Sequence, residues 1–174
     1  MKKKSRILLV DGYNLIGANK ELSYEANISL EIARELLLSD LAEYNATTNY
    51  EIICVFDAYM VRSTETIINF HGVSVVYTKE KETADEYIER FVHQNYNKHL
   101  TEITVVTSDY TEQRTIFGLG ALRKSSREMW QELGVAKNKI SKTVIEETHN
   151  TPRAKLDIDR QVLAKLEKLR RGTD

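Results

Sequence analysis

The chain has 174 residues, and its 25 lysines and arginines nearly balance its 26 aspartates and glutamates, so the formal net charge is −1. This length suits one domain with a substantial core, and the near-neutral charge favours no class of partner. The single cysteine excludes an intrachain disulfide partner, and no apolar run approaches the roughly 20 residues of a membrane span. We therefore expect a globular, cytoplasmic protein without a membrane partner.

Strands and helices are predicted to alternate along the chain. The predicted elements are a strand at about residues 6–11, a helix at 25–45, strands at 51–57 and 73–78, a helix at 83–99, a strand at 103–107, helices at 110–118 and 126–134, and a last helix at 157–171. This order predicts an α/β fold, a three-layer α/β/α sandwich with a mainly parallel sheet. Pro152, the sole proline, separates a domain of residues 1–150 from residues 151–174, expected to form a basic amphipathic helix on the same domain.

Three predicted strands end at an aspartate or just before one. These residues are Asp11, Asp57 and Asp109, and a further acid, Asp85, lies at a predicted helix start. The carboxyl ends of parallel strands meet at one edge of a sheet, so the four acids and Asn14 are expected to share one crevice. Neighbouring carboxylates repel one another, and a cation such as Mg²⁺ or Mn²⁺ removes that repulsion. The pattern therefore predicts a metal site.

Each of these acids also has a structural interpretation. Asp85 lies inside the capping box Thr83–Glu86, Asp109 would serve as a helix cap, and Asp11 with Gly12 forms a common turn pair. Independent turn preferences explain poorly why three strands all end in aspartate, so we favour the site.

Charge is distributed unevenly along the chain. Residues 21–60 contain eight acids and one base, whereas residues 110–142 contain seven bases and three acids. The segment 151–174 is again basic, with seven bases and four acids. A basic side next to an acidic crevice suits a polyanion such as RNA, although solvated helix faces would give the same counts.

Metal-assisted hydrolysis of a phosphodiester is the chemistry that fits this pattern. A divalent ion lowers the pKa of a water molecule and stabilises charge on the leaving oxygen. Asn14 would hold a phosphate or a water without adding negative charge. The helix start at Ser125–Ser126 is expected to offer free backbone N–H groups to a phosphate. The basic candidates for flanking phosphates are Arg114, Arg123, Lys124 and Arg127.

Four linked motifs carry a resemblance to a known family. They are ILLVDGYNLIG, VFDAYMVR, VVYTKEKETADEYIERF and VVTSDYTEQRTIFGLGALRKSSREMW. Over residues 6 to about 133 the chain resembles the YacP-like NYN-domain proteins of Gram-positive bacteria and plastids. The resemblance implies a PIN-like fold and a metal-dependent endoribonuclease. It further implies that mRNA is cut on the translating ribosome, by entry into the A site, which contributes to mRNA decay.

The resemblance also implies roles for individual residues. Asp11, Asn14, Asp85 and Asp109 match the catalytic positions, with Asp11, Asp85 and Asp109 as metal ligands and Asp57 as an additional candidate acid. The positions assigned to RNA contact are Gln113, Arg114, Arg123, Lys124, Ser125 and Arg127. One departure is that residues 18–21 replace the aromatic–proline pair often found after the first motif.

Two other functions remain open. The first is a non-catalytic ribosome- or RNA-binding module whose acids are structural. The second is a phosphatase of the haloacid dehalogenase type, which is less favoured because Tyr13 stands where that class needs a second aspartate.

Overall fold

The computed structural model describes residues 4–57, 64–108 and 118–150. The strands are β1 (Ser5–Asp11), β2 (Glu51–Phe56), β3 (Thr66–Phe70), β4 (Val73–Tyr77), β5 (Thr101–Val106) and β6 (Leu122–Lys124). The helices are α1 (Gly12–Gly17), α2 (Lys20–Ile28), α3 (Leu30–Thr47), α4 (Ala84–Asn95) and α5 (Ser126–Asn150). The chain divides into two compact units, residues 1–140 and 141–174, and all of these strands belong to the first. The boundary predicted at Pro152 lies outside the described residues and stays a prediction.

The six strands form one sheet in the order β3-β4-β2-β1-β5-β6. Every neighbouring pair is parallel except β3 and β4, which form an antiparallel hairpin. His71 and Gly72 make the two-residue turn of that hairpin, both with positive φ (47° and 90°), as a turn matched to the strand twist requires. The mostly parallel sheet with helices on both faces confirms the predicted α/β sandwich.

Alternating side chains of β1 enter two separate cores. Leu8 and Val10 pack on the face that also holds the buried residues of α1, α2, α3 and α5. Ile7 and Leu9 pack on the opposite face, against Ile88 and other residues of α4. Because β1 is buried on both faces, it reads in sequence as a continuous apolar run. Cys54 of β2 is fully buried, as expected for a core cysteine.

The predicted helix at residues 25–45 is two helices in the structure. Ser29 ends α2 and caps α3, and its hydroxyl accepts a hydrogen bond of 3.4 Å from the Ile32 N–H. The apolar stripe that predicted this helix was correct only in part. Its members Leu37, Leu41 and Tyr44 are buried, together with Ala33 and Leu38. Its members Ile28, Ile32 and Leu36 are 65%, 46% and 44% exposed.

Other predicted elements also differ from those of the structure. Strands β3 and β6 were not predicted, and the helix predicted at residues 126–134 continues to Asn150. The predicted helices at 110–118 and 157–171 fall almost wholly outside the described residues. No helix in the described part of the chain is both long enough and apolar enough to cross a membrane.

Candidate active site

The carboxyl ends of the parallel strands define one edge of the sheet. In register, Val10 of β1 lies beside Val106 of β5, and Val106 lies beside Lys124 of β6. On the other side of β1, Asp11 lies beside Val55 of β2. The residues that directly follow these strands therefore meet at this edge, as the sequence predicted.

Asp11 lies at the end of β1 and caps α1. Its carboxylate accepts a hydrogen bond of 3.1 Å from the Asn14 N–H, and the residue is only 9% exposed. The pKa of Asp11 is raised from 3.8 to about 6, chiefly by burial; the Asn14 N–H lowers it, and the nearby charges of Asp85 and Asp57 act in the same direction as burial. The structure thus brings Asp85 and Asp57 close enough to Asp11 to repel its charge.

Gly12 allows this close packing at the start of α1. A Cβ atom at this position would lie 2.2 Å from Phe56 Cε1, well inside van der Waals contact. Phe56 is the last residue of β2 and directly precedes Asp57 in the sequence. The absence of a side chain at residue 12 therefore lets the ends of β1 and β2 approach one another.

Asp57 connects β2 to the start of α4. One of its carboxylate oxygens accepts a hydrogen bond from the Ala84 N–H, the first helical amide. Burial raises the pKa of Asp57, the Ala84 N–H lowers it, and the charge of Glu86 raises it. Asp85 follows in the first turn and is exposed. Asp57 therefore has a structural contact of its own, beside any role toward a metal.

The predicted capping box at the start of α4 is confirmed. The Glu86 carboxylate accepts from the Thr83 N–H at 2.9 Å, and the Thr83 hydroxyl accepts from the Glu86 N–H at 3.2 Å. These reciprocal contacts fix the first helical turn, and with it the backbone that carries Asp85.

Asn14 joins three elements through its side-chain carbonyl oxygen. Oδ1 accepts from the Ser108 N–H at 3.0 Å and from the Ser126 hydroxyl at 2.8 Å. Ser126 is fully buried, and its own N–H donates to Ser108 Oγ at 3.3 Å. A carbonyl oxygen has two lone pairs and both are used here, so any contact of the Asn14 side chain with a phosphate would be made by its Nδ2 donors. The sequence analysis names Ser126 only for its backbone N–H and does not name Ser108, so it missed the contacts of both serines with Asn14.

The basic candidates at this edge have different environments. Arg123 and Arg127 are exposed. The Lys124 side chain is 15% exposed, pairs with Glu132 at 2.8 Å and lies 5.7 Å from the centre of the Tyr50 ring. Gln113 and Arg114 lie outside the described residues. Arg123 and Arg127 are therefore the described bases that are best placed to meet a polyanion.

The expectation of free N–H groups at Ser125–Ser126 is wrong. The Ser125 N–H donates to the Glu128 carboxylate at 2.7 Å, and the Ser126 N–H donates to Ser108. The Ser125 hydroxyl also donates to Glu128, at 2.6 Å, and accepts from the Glu128 N–H at 3.2 Å. These contacts form a second capping box, and it uses the donors that a phosphate would have needed.

The residues fit a hard divalent cation in their chemistry. Asp11 and Asp85 supply carboxylate oxygens, the donors that Mg²⁺ and Mn²⁺ prefer. Among the described residues no group of three or more acids, histidines or cysteines is arranged to hold an ion. The predicted set also requires Asp109, which lies outside that part of the chain although Ser108, directly before it, is fixed by Asn14.

A mostly parallel α/β sheet whose central strands end in clustered carboxylates is the architecture of a nuclease-like domain. The chain belongs to the family of YacP-like NYN domains, whose model matches residues 8–171. NYN and other PIN-like nuclease domains typically use divalent metals. The resemblance found in the four motifs is thereby confirmed.

Relatives from Bacillus subtilis match along nearly the whole chain. The chain is 46% identical over 166 residues to the protein YacP of strain 168, covering 95% of this chain and 97% of that protein. It is similar to the crystal structure of Rae1 (YacP), with 47% identity, a TM-score of 0.73 and 95% of each chain covered. A single-substitution variant of Rae1 gives 45% identity and the same TM-score, with 95% and 96% covered.

Proposed function

We propose that this chain is a metal-dependent endoribonuclease that cuts mRNA on the translating ribosome, at the A site, and so contributes to mRNA decay in the cytoplasm. One observation carries the catalytic part. The buried carboxylate of Asp11 is held near those of Asp85 and Asp57, although burial and mutual repulsion both disfavour its charge. Such clusters are costly to a fold, and they are typical of sites whose charge is needed for chemistry.

The proposed chemistry assigns a role to each group at the edge. Asp11, Asp85 and Asp109 would hold Mg²⁺ or Mn²⁺, which supplies charge neutralisation and lowers the pKa of a water molecule. The Asn14 side chain is fixed by Ser108 and Ser126 and presents its Nδ2 donors to a phosphate oxygen. A water molecule would attack the phosphorus in line with the 3′ oxygen. The P–O3′ bond would then break and the 3′ oxygen would take up a proton, which leaves 5′-phosphate and 3′-hydroxyl ends.

Binding of RNA would use the bases beyond β5. Arg123 lies on β6 and Arg127 in the first turn of α5, and both are exposed near the same edge as Asp11. Phosphate contacts of this kind position a strand without reading its sequence. The proposed contact set is completed by Gln113, Arg114, Lys124 and Ser125. The Lys124 ammonium contacts Glu132 and the Ser125 hydroxyl contacts Glu128. These two residues would therefore act mainly through the shape of the edge.

The ribosome is proposed as the place of action because of the resemblance to ribosome-associated nucleases. A small domain with few exposed bases at its site has little surface for selecting a free RNA. On the ribosome, mRNA is already single-stranded and held in place, so positioning would supply the selectivity.

The decisive experiment is cleavage of a translatable mRNA in a purified translation system with Mg²⁺, with and without ribosomes. We expect cleavage only with ribosomes, and its loss in both Asp11→Asn and Asp109→Asn, since an amide does not replace the charge of a ligating carboxylate. Glu43→Gln removes one acid from the exposed side of α3 and serves as the matched control. Full activity of either aspartate variant would contradict the proposal.

A non-catalytic RNA-binding module is the second candidate. The contact between Asp57 and the Ala84 N–H favours it, because one of the acids there makes a structural hydrogen bond. This candidate predicts binding to ribosomes that survives in Asp11→Asn, with no cleavage by the wild-type protein under any condition.

A further inference from the structure

Arg34 of α3 is a base on an acidic part of the surface. The helical pair α2–α3 contains six acids, and its bases are Lys20 and Arg34. Within the described residues, no salt bridge involves Arg34 despite these neighbours. One of its Nη atoms instead donates to the Tyr13 hydroxyl at 2.9 Å, and its guanidinium carbon lies 5.8 Å from the centre of the Tyr77 ring.

This environment fixes the guanidinium without neutralising it. Arg34 is half-buried, and a guanidinium carries five N–H donors in a planar fork. The described residues offer it one acceptor, the neutral oxygen of Tyr13. A partly desolvated cation that two aromatic side chains hold in place is pre-organised for an anion with paired oxygens, and a phosphate has that geometry.

Arg34 also lies near the proposed site. Tyr13 is two residues beyond Asp11, and Tyr77 is the last residue of β4. The Phe56 ring lies between them, with its centre 5.1 Å from that of Tyr13 and 5.9 Å from that of Tyr77. In the sheet order, Arg34 is therefore on the β2–β4 side of Asp11, whereas Arg123 and Arg127 are on the β6 side.

We propose that Arg34, held by Tyr13 and Tyr77, binds a backbone phosphate of single-stranded RNA on the side of the carboxylates opposite to Arg123 and Arg127. This inference rests on the proposed function, since it takes RNA as the ligand of the same site. A strand crossing the carboxyl edge meets a cation on each side of the acids. The acids in the centre repel it unless a metal is bound, so the flanking arginines on the two sides determine the path of the strand.

The test is binding of a short, unstructured, fluorescent oligoribonucleotide in Mg²⁺ over a series of salt concentrations, with every variant made in an Asp11→Asn background. Arg34→Gln is expected to weaken binding roughly tenfold and to lower the slope of log affinity against log salt by about one. Arg34→Lys keeps the salt slope but loses part of the affinity, because an ammonium lacks the fork. Tyr13→Phe removes the acceptor that holds Arg34 and gives an intermediate loss.

Lys20→Gln is the matched control, since it removes one positive charge from an exposed position of the same helical pair. It is expected to leave the affinity within about twofold. Equal binding by the Asp11→Asn parent and by Arg34→Gln overturns the proposal, provided that thermal unfolding transitions show both proteins to be folded. The absence of measurable binding by the parent overturns it as well.

Cleavage by the wild type and RNA binding by these variants together separate this inference from the proposed function. Cleavage of mRNA by the wild type, together with Arg34-independent binding, retains the nuclease and rejects the Arg34 site. Arg34-dependent binding without any cleavage by the wild type retains the Arg34 site in an RNA-binding module and rejects the nuclease.

Discussion

The Ser126 hydroxyl donates a hydrogen bond of 2.8 Å to Asn14 Oδ1, although 112 residues separate the two along the chain. The same oxygen accepts from the Ser108 N–H. Asn14 in turn donates its backbone N–H to Asp11. A single residue, Asn14, therefore connects the ends of β1 and β5 to the start of α5 through its backbone N–H and its side-chain oxygen.

Ser126→Ala is expected to loosen this connection without unfolding the protein. Loss of one donor to a buried oxygen costs about 1–2 kcal/mol of the free energy of unfolding. Because Asn14 then has one restraint fewer, we expect kcat for RNA cleavage to fall roughly tenfold, with a smaller change in KM. Chemical denaturation and cleavage kinetics measure the two effects.

Ser29→Ala provides the stability control for that variant. It removes the cap of α3, which costs about 1 kcal/mol, and the Ser29 hydroxyl contacts the Ile32 N–H rather than Asn14. If this variant loses cleavage in proportion to Ser126→Ala, the loss reflects stability alone and Ser126 has no positioning role.

Asp11→Asn is expected to stabilise the metal-free protein at neutral pH. The pKa of Asp11 is about 6 in the folded state against an ordinary 3.8, so the folded state binds this proton more tightly. Stability is therefore lost as pH rises from about 4 through about 6, by about 3 kcal/mol in total. The neutral amide avoids this cost. Urea unfolding in EDTA at pH 4 and pH 7.5 should show a difference only at the higher pH.

Addition of Mg²⁺ in the same experiment should stabilise the wild type more than Asp11→Asn, because the ion binds the folded state through that carboxylate. A variant less stable than the wild type at pH 7.5 in EDTA, or an equal response to Mg²⁺, would show that the charge of Asp11 is already neutralised within the protein.

Substitutions of Asp57 separate its structural contact from a metal role. In Asp57→Asn the amide oxygen still accepts from the Ala84 N–H, so fold and cleavage should be largely retained. Asp57→Ala leaves that N–H without its acceptor and is expected to cost about 2 kcal/mol. Loss of cleavage in Asp57→Asn as complete as in Asp11→Asn would instead place Asp57 among the metal ligands.

Gly12→Ala tests the close approach of β1 and β2. The added Cβ overlaps the Phe56 ring at distances of 2.2–2.7 Å, and the displaced ring is expected to cost about 1–3 kcal/mol. Gly17→Ala, at the other end of α1, meets no atom within 4 Å and should be neutral or slightly stabilising. Thermal unfolding of both variants gives the comparison, and equal melting temperatures would contradict the packing argument.

The buried parts of the fold were predictable because their sequence signals are strong. Strands β1, β2, β4 and β5 are buried apolar runs, and a capping box marks the start of α4. Strand β3 was missed because its residues are mostly exposed, so no burial pattern marks it. Strand β6 has only three residues, too few for any periodicity.

The helix errors have a related cause. The spacing of Ile28, Ile32 and Leu36 suggested a buried stripe, yet all three are exposed, and the polar cap at Ser29 determines where the helices divide. The helix predicted at residues 126–134 continues past Gly134, because a single glycine costs a helix only about 1 kcal/mol.

The site was predictable at the strand ends and not beyond them. Asp11 and Asp57 follow from the rule that parallel strands present their carboxyl ends at one edge. The roles of Ser126 and Arg34 depend on which distant side chains they meet, Asn14 in one case and Tyr13 in the other. No local pattern encodes such pairings. Because β6 was not predicted, there was also no reason to place Ser126, which follows it, beside Asn14.

The position of β1 in the sheet has a consequence for how the protein is made. Among the described strands β1 is synthesised first, yet it lies between β2 and β5, and β5 begins at Thr101. A nascent chain that ends before β5 exposes one whole edge of β1 and lacks both donors to Asn14. Long-range pairing of this kind is slow to form. Asn14 thus gains both donors only after Ser126 has been synthesised, so a shorter nascent chain carries Asp11, Asp57 and Asp85 without these contacts.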